Sequence, residues 1–168
     1  DLPIVYNDIG IACVSERADL LDAVEIEALP TSSGWGYYFA PAQIRYQRNF
    51  GFPVQGMTGR FLSMWADFGG LKHPNQLKTE VASLVANCAG CNVGDQGAPN
   101  GILYPAVYHV IGKAFGHVKN VLPWIEDAAP VTEAALMIPT VPMDSSLMKS
   151  DYILGMTKLM IEARLQFD

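Results

Sequence analysis

Three short stretches of this chain bring carboxylates and indoles to points where an extended run gives way to a loop. The first is Val24-Glu25-Ile26-Glu27-Ala28-Leu29-Pro30, with the loop Gly34-Trp35-Gly36-Tyr37 behind it. The second is Val54-Gln55-Gly56-Met57-Thr58-Gly59-Arg60-Phe61, leading into Trp65-Ala66-Asp67-Phe68-Gly69-Gly70. The third is Cys91-Asn92-Val93-Gly94-Asp95-Gln96. Glu25 and Glu27 are two apart, so a regular strand puts both on one face. Carboxylates that close raise each other's pKa, which suits one of them to general-acid work. A pair of carboxyl groups is the machinery that hydrolyses a glycosidic bond, and indole faces stack on sugar rings. The pattern implies carbohydrate chemistry at the C-terminal ends of successive strands, the rim on which barrel enzymes carry their active sites.

Glu27 is the first candidate for the acid/base role and Glu25 the second. Their structural alternative is a barrel-layer or salt-bridged pair, with Arg60 as a partner. Asp67 would bind a substrate hydroxyl or act as acid/base, or else organise the Gly69-Gly70 bend as an Asx-turn. Asp95 would contact sugar or cap the next loop. Trp35 and Trp65 lie in glycine-rich loops, where functional residues concentrate, and read as stacking platforms or as core. Arg60 would orient a carboxylate through a bidentate contact or form a structural ion pair. Asn7, the polar end of the first apolar run, joins the substrate-binding candidates. Trp124, at a helix end, reads as packing.

The elements that must carry these residues follow from periodicity. Leu2 to Asn7 reads as a buried parallel strand. Residues 10–22 are loop plus a short helix. Val24 to Leu29 is a strand stopped by Pro30. Pro41 opens a helix that Gly51 closes. Val54 to Phe61 is a strand whose Gly56 and Gly59 suit close backbone approach. After Pro74, Leu77, Val81, Leu84, Val85 and Cys88 fall on one helical face. Gly90 ends that helix, and Cys91 to Val93 is a short strand. Pro105 starts a long helix with Val107, Tyr108, Ile111, Ala114, Phe115, Val118 and Leu122 as its buried stripe, ended by Pro123-Trp124. Thr132 to Ile138 is a strand candidate, and Pro139, Pro142 and Ser145-Ser146 form a loop. Ser150 or Asp151 caps a last helix carrying Ile153, Leu154, Met160, Ile161 and Leu165. An eightfold barrel spends roughly 31 residues per strand–helix unit, and four units up to residue 127 keep that pace.

Bulk composition narrows the field. The 168 residues are 50% hydrophobic and 17% charged, which supports a packed core. A net charge of -6 without a Lys/Arg stripe argues against nucleic acid. No apolar run has the length of a membrane span, and a cytoplasmic location is expected. Three cysteines, Cys13, Cys88 and Cys91, do not form a disulfide framework. Cys88 and Cys91 have C-x-x-C spacing, but at a helix end rather than the helix start that stabilises a redox thiolate. His73 reads as a helix-start residue, and His109 and His117 lie on the long helix. No metal-ligand spacing, phosphate loop or cofactor motif is present. The chain begins at Asp1 and stops at Leu165-Gln166-Phe167-Asp168, and both ends read as cut from a longer protein.

The motifs resemble a bacterial glycoside-hydrolase-like family that couples a TIM barrel to a β-galactosidase-type trimerisation domain, with α-L-fucosidases among its relatives. The three stretches carry the resemblance, together with Pro123-Trp124 and the segment from Met160 to Phe167-Asp168. It implies an α/β fold: residues 1–129 as the C-terminal half of a (β/α)8 barrel, strands five to eight, and 130–168 as the first strand–helix unit of the trimerisation domain. It implies a glycosidase acting on a terminal sugar such as a fucoside or galactoside, a homo-oligomeric parent such as a trimer, and a fragment inactive by itself. An acidic nucleophile on the fourth strand, as in similar fucosidases, would lie outside the chain. Relatives carry His before the Glu-x-Glu motif, after the Gly-Arg-Phe segment and after Gly-Asp-Gln, where this chain has Ala23, Leu62 and Gly97-Ala98. These losses strip polar groups from the expected rim. They leave open a second reading, a non-catalytic sugar-binding or assembly protein on the same fold.

Overall fold

A computed structural model describes residues 2–7, 14, 17–32, 34–138 and 151–168. Four strands, β1 (Val5–Asn7), β2 (Ala23–Glu27), β3 (Val54–Gly59) and β4 (Gly90–Gly94), form one sheet in the order of the chain, with every neighbour pair parallel. Four helices have bounds within the described residues: α1 (Phe39–Gln47), α2 (Pro74–Ala86), α3 (Pro105–Ile125) and α4 (Asp151–Glu162). Parallel neighbours need long crossovers, and α1 and α2 supply those between β2 and β3 and between β3 and β4. The parallel sheet expected from the strand–helix alternation is therefore present.

Alternation along the strands divides the sheet into two chemically different faces. Val24 and Ile26 of β2 are buried in one apolar cluster with Phe39, Ala40, Ala42 and Ile44 of α1, Val54 of β3 and Leu84 of α2. Gly56 of β3 is part of that fit, because an added Cβ would stand 2.5 Å from a methyl of Leu84. The intervening positions Glu25, Glu27, Gln55, Met57 and Asn92 share the other face, by period and by register. They are only partly buried. A second cluster, Leu77 and Val81 with Val110 and Ala114, fastens α3 to α2.

Helix α2 starts where expected. His73 is its cap, with Nδ1 accepting from the Asn75 amide at 3.2 Å, and Pro74 occupies the first turn. Its end differs from expectation. The helix stops at Ala86, and Cys88, at φ 66°, makes the left-handed turn assigned from sequence to Gly90. The Ala89 amide bonds Leu84 O and the Cys88 amide bonds Val85 O, the double closure of a Schellman end. Gly90 is already in β4, and Cys88 is exposed rather than part of the apolar stripe. In its place, charged Glu80 is buried on that face.

Other elements are also displaced from the sequence reading. α1 begins at Phe39, two residues before Pro41, whose missing amide is tolerated in a first turn. Gly51 (φ 83°) does close the segment, after a 3-10 turn over Arg48–Phe50. β1 is exposed along its length, because it is the edge of the sheet. In α3, Val110 is buried while Tyr108, Phe115 and Leu122 are exposed. A stripe of three buried residues suffices there because α3 meets the molecule along α2. Pro123 sits inside α3, which continues to Ile125, and Trp124 is 85% exposed rather than packed. The Thr132 to Ile138 strand is reduced to one bridge, Ala134 with Phe167. Leu165 lies beyond α4 and is exposed, whereas Phe167 is buried. Helix α4 packs on α1, with Ile153 inside the sheet's own core cluster. The loop expected at Pro139 to Ser146, the Ser150 cap and Cys13 lie outside the described residues.

Candidate active site

The C-terminal ends of the four strands deliver Asn7, Glu27, Arg60 and Asp95 to one edge of the sheet. β2 is a regular strand, so Glu25 and Glu27 do share the polar face. Glu27 is the last residue of β2 and accepts from two donors, the Trp65 indole Nε1 on Oε1 and Asn7 Nδ2 on Oε2 at 3.3 Å. Glu25 lies one pleat deeper, and its Oε2 accepts from Asn92 Nδ2 of β4 at 3.0 Å. Asn92 was not singled out in the sequence. Its signal is the two-residue alternation that sets it on the same face as Met57 and Glu27.

Trp65 is positioned by the absence of side chains under it. A Cβ on Gly94 would stand 2.6 Å from two indole carbons, and one on Gly59 would stand 3.0 Å from the same ring. The indole thus lies over the ends of β3 and β4, edge-on to Phe61 with centroids 5.5 Å apart. Trp35 is partly buried and packs against the main apolar cluster.

Arg60 is the organiser of the loop that carries Trp65. It is 1% exposed. Its Nε donates to Asp95 Oδ1 at 2.8 Å, and its Nη1 donates to the carbonyls of Phe68 at 3.0 Å and Gly70 at 2.7 Å. The guanidinium also stacks on Phe61, 4.2 Å from the ring centroid. Arg60 therefore meets Asp95 through one nitrogen rather than as a fork, and among the described residues it forms no ion pair with Glu25 or Glu27. Asp95 Oδ1 also accepts from the Gln96 amide at 2.8 Å. Asp67 accepts from the Ser63 amide at 3.3 Å, and its carboxyl closes over the Gly70 Cα. Ala66 beside it has φ 67°, a left-handed backbone that explains why glycine suits this position.

Behind the rim lies a buried polar network that sequence reasoning missed. Lys72 Nζ donates to Glu80 Oε2 at 2.6 Å and to Thr58 Oγ1 at 3.1 Å, and Thr58 Oγ1 donates to Glu80 Oε2 at 2.6 Å. Gln76 Nε2 at 3.2 Å and the Tyr37 hydroxyl at 3.5 Å reach Glu80 Oε1. Burial pulls the Lys72 ammonium below its usual pKa, against the opposing pull of Glu80. Burial and the Glu80 charge push the Tyr37 hydroxyl up. The available signal was Glu80 itself, a carboxylate at helical spacing between Leu77 and Leu84. The Lys72 amide also bonds Arg60 O at 3.0 Å, so the network clamps both ends of the Trp65 loop.

The three positions read as lost rim histidines do not lie together. Leu62 is exposed in the loop after β3, and Ala98 lies in the loop after β4. Ala23 is on the polar face but opens β2, four residues from Glu27, or about 13 Å along a strand. It is not a rim position. His73 is engaged as a cap, and no group of three or more His, Cys, Asp or Glu among the described residues could hold a metal ion. No helix among the described residues is long and apolar enough to cross a membrane.

The carboxylates and the indole thus stand at the C-terminal edge of a parallel sheet, and the chain is similar to a protein of known structure. That structure is α-L-fucosidase isoenzyme 2 from Paenibacillus thiaminolyticus, with 36% sequence identity, a TM-score of 0.84 and coverage of 92% of this chain. The chain spans 24% of that protein's length. No family model matches the chain, and no curated protein matches it.

Proposed function

We propose that this chain is the C-terminal half of the (β/α)8 barrel of a glycoside hydrolase, strands five to eight, with residues 130–168 opening a second domain. The substrate would be a terminal sugar of the fucoside or galactoside kind. The observation that carries the reading is Glu27: a carboxylate ending a parallel strand, held between the Trp65 indole and the Asn7 amide on the polar side of the sheet. The similarity to an α-L-fucosidase supports it.

In this reading Glu27 exchanges a proton with the glycosidic oxygen and Trp65 holds its carboxyl in place. Glu25, tied to Asn92, adds negative charge deeper on the same face. Asp67, Trp35 and Asn7 contact the sugar, while Arg60 and Asp95 hold the loop that presents Trp65. The opposing carboxyl group required by either stereochemical course would come from the other half of the barrel. The isolated chain would then be silent on glycosides, and its exposed β1 edge would favour self-association.

A second reading, a sugar-binding or assembly protein without turnover, has one observation in its favour. Both Glu27 oxygens already accept from protein donors. Kinetics of the intact parent separate the two. Glu27→Gln should lower kcat by roughly 10²–10⁴-fold on an unactivated fucoside. The loss should be smaller on a nitrophenyl fucoside, whose leaving group needs little protonation. Asp67→Asn should mainly raise KM. Equal loss on both substrates removes Glu27 from the acid role. Saturable sugar binding with no turnover of either substrate selects the second reading.

A further inference from the structure

A cavity of about 120 Å³ lies between α1, α4 and the bridge of Ala134 with Phe167. It exceeds what one water needs and approaches a 150 Å³ cavity able to take a small organic molecule. Its walls divide by chemistry. Leu136, Ile138, Ile153 and Ala42 make an apolar side, and Arg45, Asn49, Thr157 and Asp168 make a polar one.

Arg45 and Thr157 each hold an unsatisfied polar atom. Arg45 is 8% exposed and Thr157 is 0% exposed. The Arg45 Nε and the Thr157 Oγ1 are both buried without a hydrogen-bond partner. Such groups in native proteins are rare and costly. The Arg45 guanidinium spends Nη1 on the Phe167 carbonyl at 2.6 Å and stacks on the Phe167 ring, 4.3 Å from its centroid. Neither contact neutralises its charge. The adjacent carboxylate, Asp168, is taken by Arg48, whose Nε bonds it at 2.7 Å. Among the described residues no carboxylate forms an ion pair with Arg45. Burial and the Arg48 charge pull the Arg45 pKa down while Asp168 opposes them, so two guanidiniums share the Asp168 carboxylate.

We propose that this cavity binds a short aliphatic carboxylate, whose oxygens accept from Arg45 Nε and the Thr157 hydroxyl while its alkyl end rests on Ile138, Ile153 and Leu136. The anion completes the charge of Arg45, and its short tail matches the apolar wall. The site is separate from the carboxylate rim, and its proposal stands without any glycosidase activity.

The test is calorimetric titration of the full 168-residue chain with sodium acetate and sodium propionate, against sodium chloride at equal ionic strength. Saturable binding of one carboxylate per chain is expected, tighter for propionate than for acetate and not reproduced by chloride. Thr157→Val keeps the shape but removes the hydroxyl, and it should weaken binding roughly five- to tenfold. Because that hydroxyl has no hydrogen-bond partner among the described residues, Thr157→Val should leave the thermal midpoint unchanged or higher. Ala42→Leu fills the cavity while keeping Arg45, and it should abolish binding. Chloride acting as well as propionate, a folded Thr157→Val chain binding propionate like the parent, or no saturable binding would each overturn the proposal.

Discussion

Gly94→Ala tests the geometry of the Glu27 site most directly, because the added atom touches neither carboxylate. Its Cβ would stand 2.6 Å from Cη2 and Cζ3 of Trp65 and 3.3 Å from Met57 Sδ. The indole must therefore move away by about 1 Å, and a hydrogen bond stretched that far is lost. The bond at stake is from Trp65 Nε1 to Glu27 Oε1. A hydrogen bond to a charged group is worth about 1.5–3 kcal/mol. Both residues are only partly buried, so a loss near the lower figure is expected, with strain from the displaced ring adding about 1 kcal/mol. Urea unfolding followed by tryptophan fluorescence reads the loss, and the Trp65 indole N–H resonance in a proton–nitrogen spectrum reads the hydrogen bond. Trp65→Phe removes the donor without the clash and should abolish that resonance. In the Trp65→Phe background, Gly94→Ala should cost less than it does alone, because part of its effect is already gone. Gly97→Ala is the control, since nothing lies within 4 Å of its Cβ position. If Gly94→Ala proves as silent as Gly97→Ala, with the indole resonance unmoved, the assigned position of Trp65 over β4 is wrong.

Three further outcomes follow from the framework around the site. Glu80→Leu leaves Lys72 charged and buried and should cost about 3–5 kcal/mol, while Lys72→Met with Glu80→Leu should recover most of it; equilibrium denaturation of both variants checks this. Cys88→Gly should stabilise the chain by about 0.5–1 kcal/mol, since Cys88 holds φ 66° and glycine carries no left-handed penalty; a lower denaturation midpoint would refute it. Burial raises the Cys91 thiol above its ordinary pKa, so at pH about 8 iodoacetamide should label exposed Cys88 well before Cys91. Because the folded chain then holds the Cys91 proton where the unfolded chain loses it, the stability this thiol contributes should decline as pH rises above 9.0. Peptide mapping by mass spectrometry and a pH series of unfolding midpoints, compared with Cys91→Ala, test these two statements.

Local signals determined much of this protein. The alternation in Val24-Glu25-Ile26-Glu27 is a strand with two faces whatever surrounds it, because successive side chains point opposite ways. Pro74 and Pro105 start helices because a first-turn amide needs no partner. The strand–helix order led to a parallel sheet, since parallel neighbours need crossovers. The positions of Glu27, Trp65 and Asp95 near strand ends were legible for the same reason. What each of these side chains holds was decided only by tertiary structure. Arg60 could have met Glu25 or Glu27 by composition alone. Folding instead wraps the loop from Met64 to Gly70 around it and sets Asp95 against its Nε. Gly59 and Gly94 look like weak spots in two strands until the indole of Trp65 is found across them. Glu80 and Lys72 stand eight residues apart, and no local pattern couples them. Only the docking of α2 against β3 removes both from water and makes them partners. Exposure was likewise a property of packing: α3 has apolar residues around most of its surface, and its contact with α2 selects Val110 and Ala114. Periodicity is written in the chain because it is local, whereas desolvation and hydrogen-bond partnership depend on which distant surfaces meet.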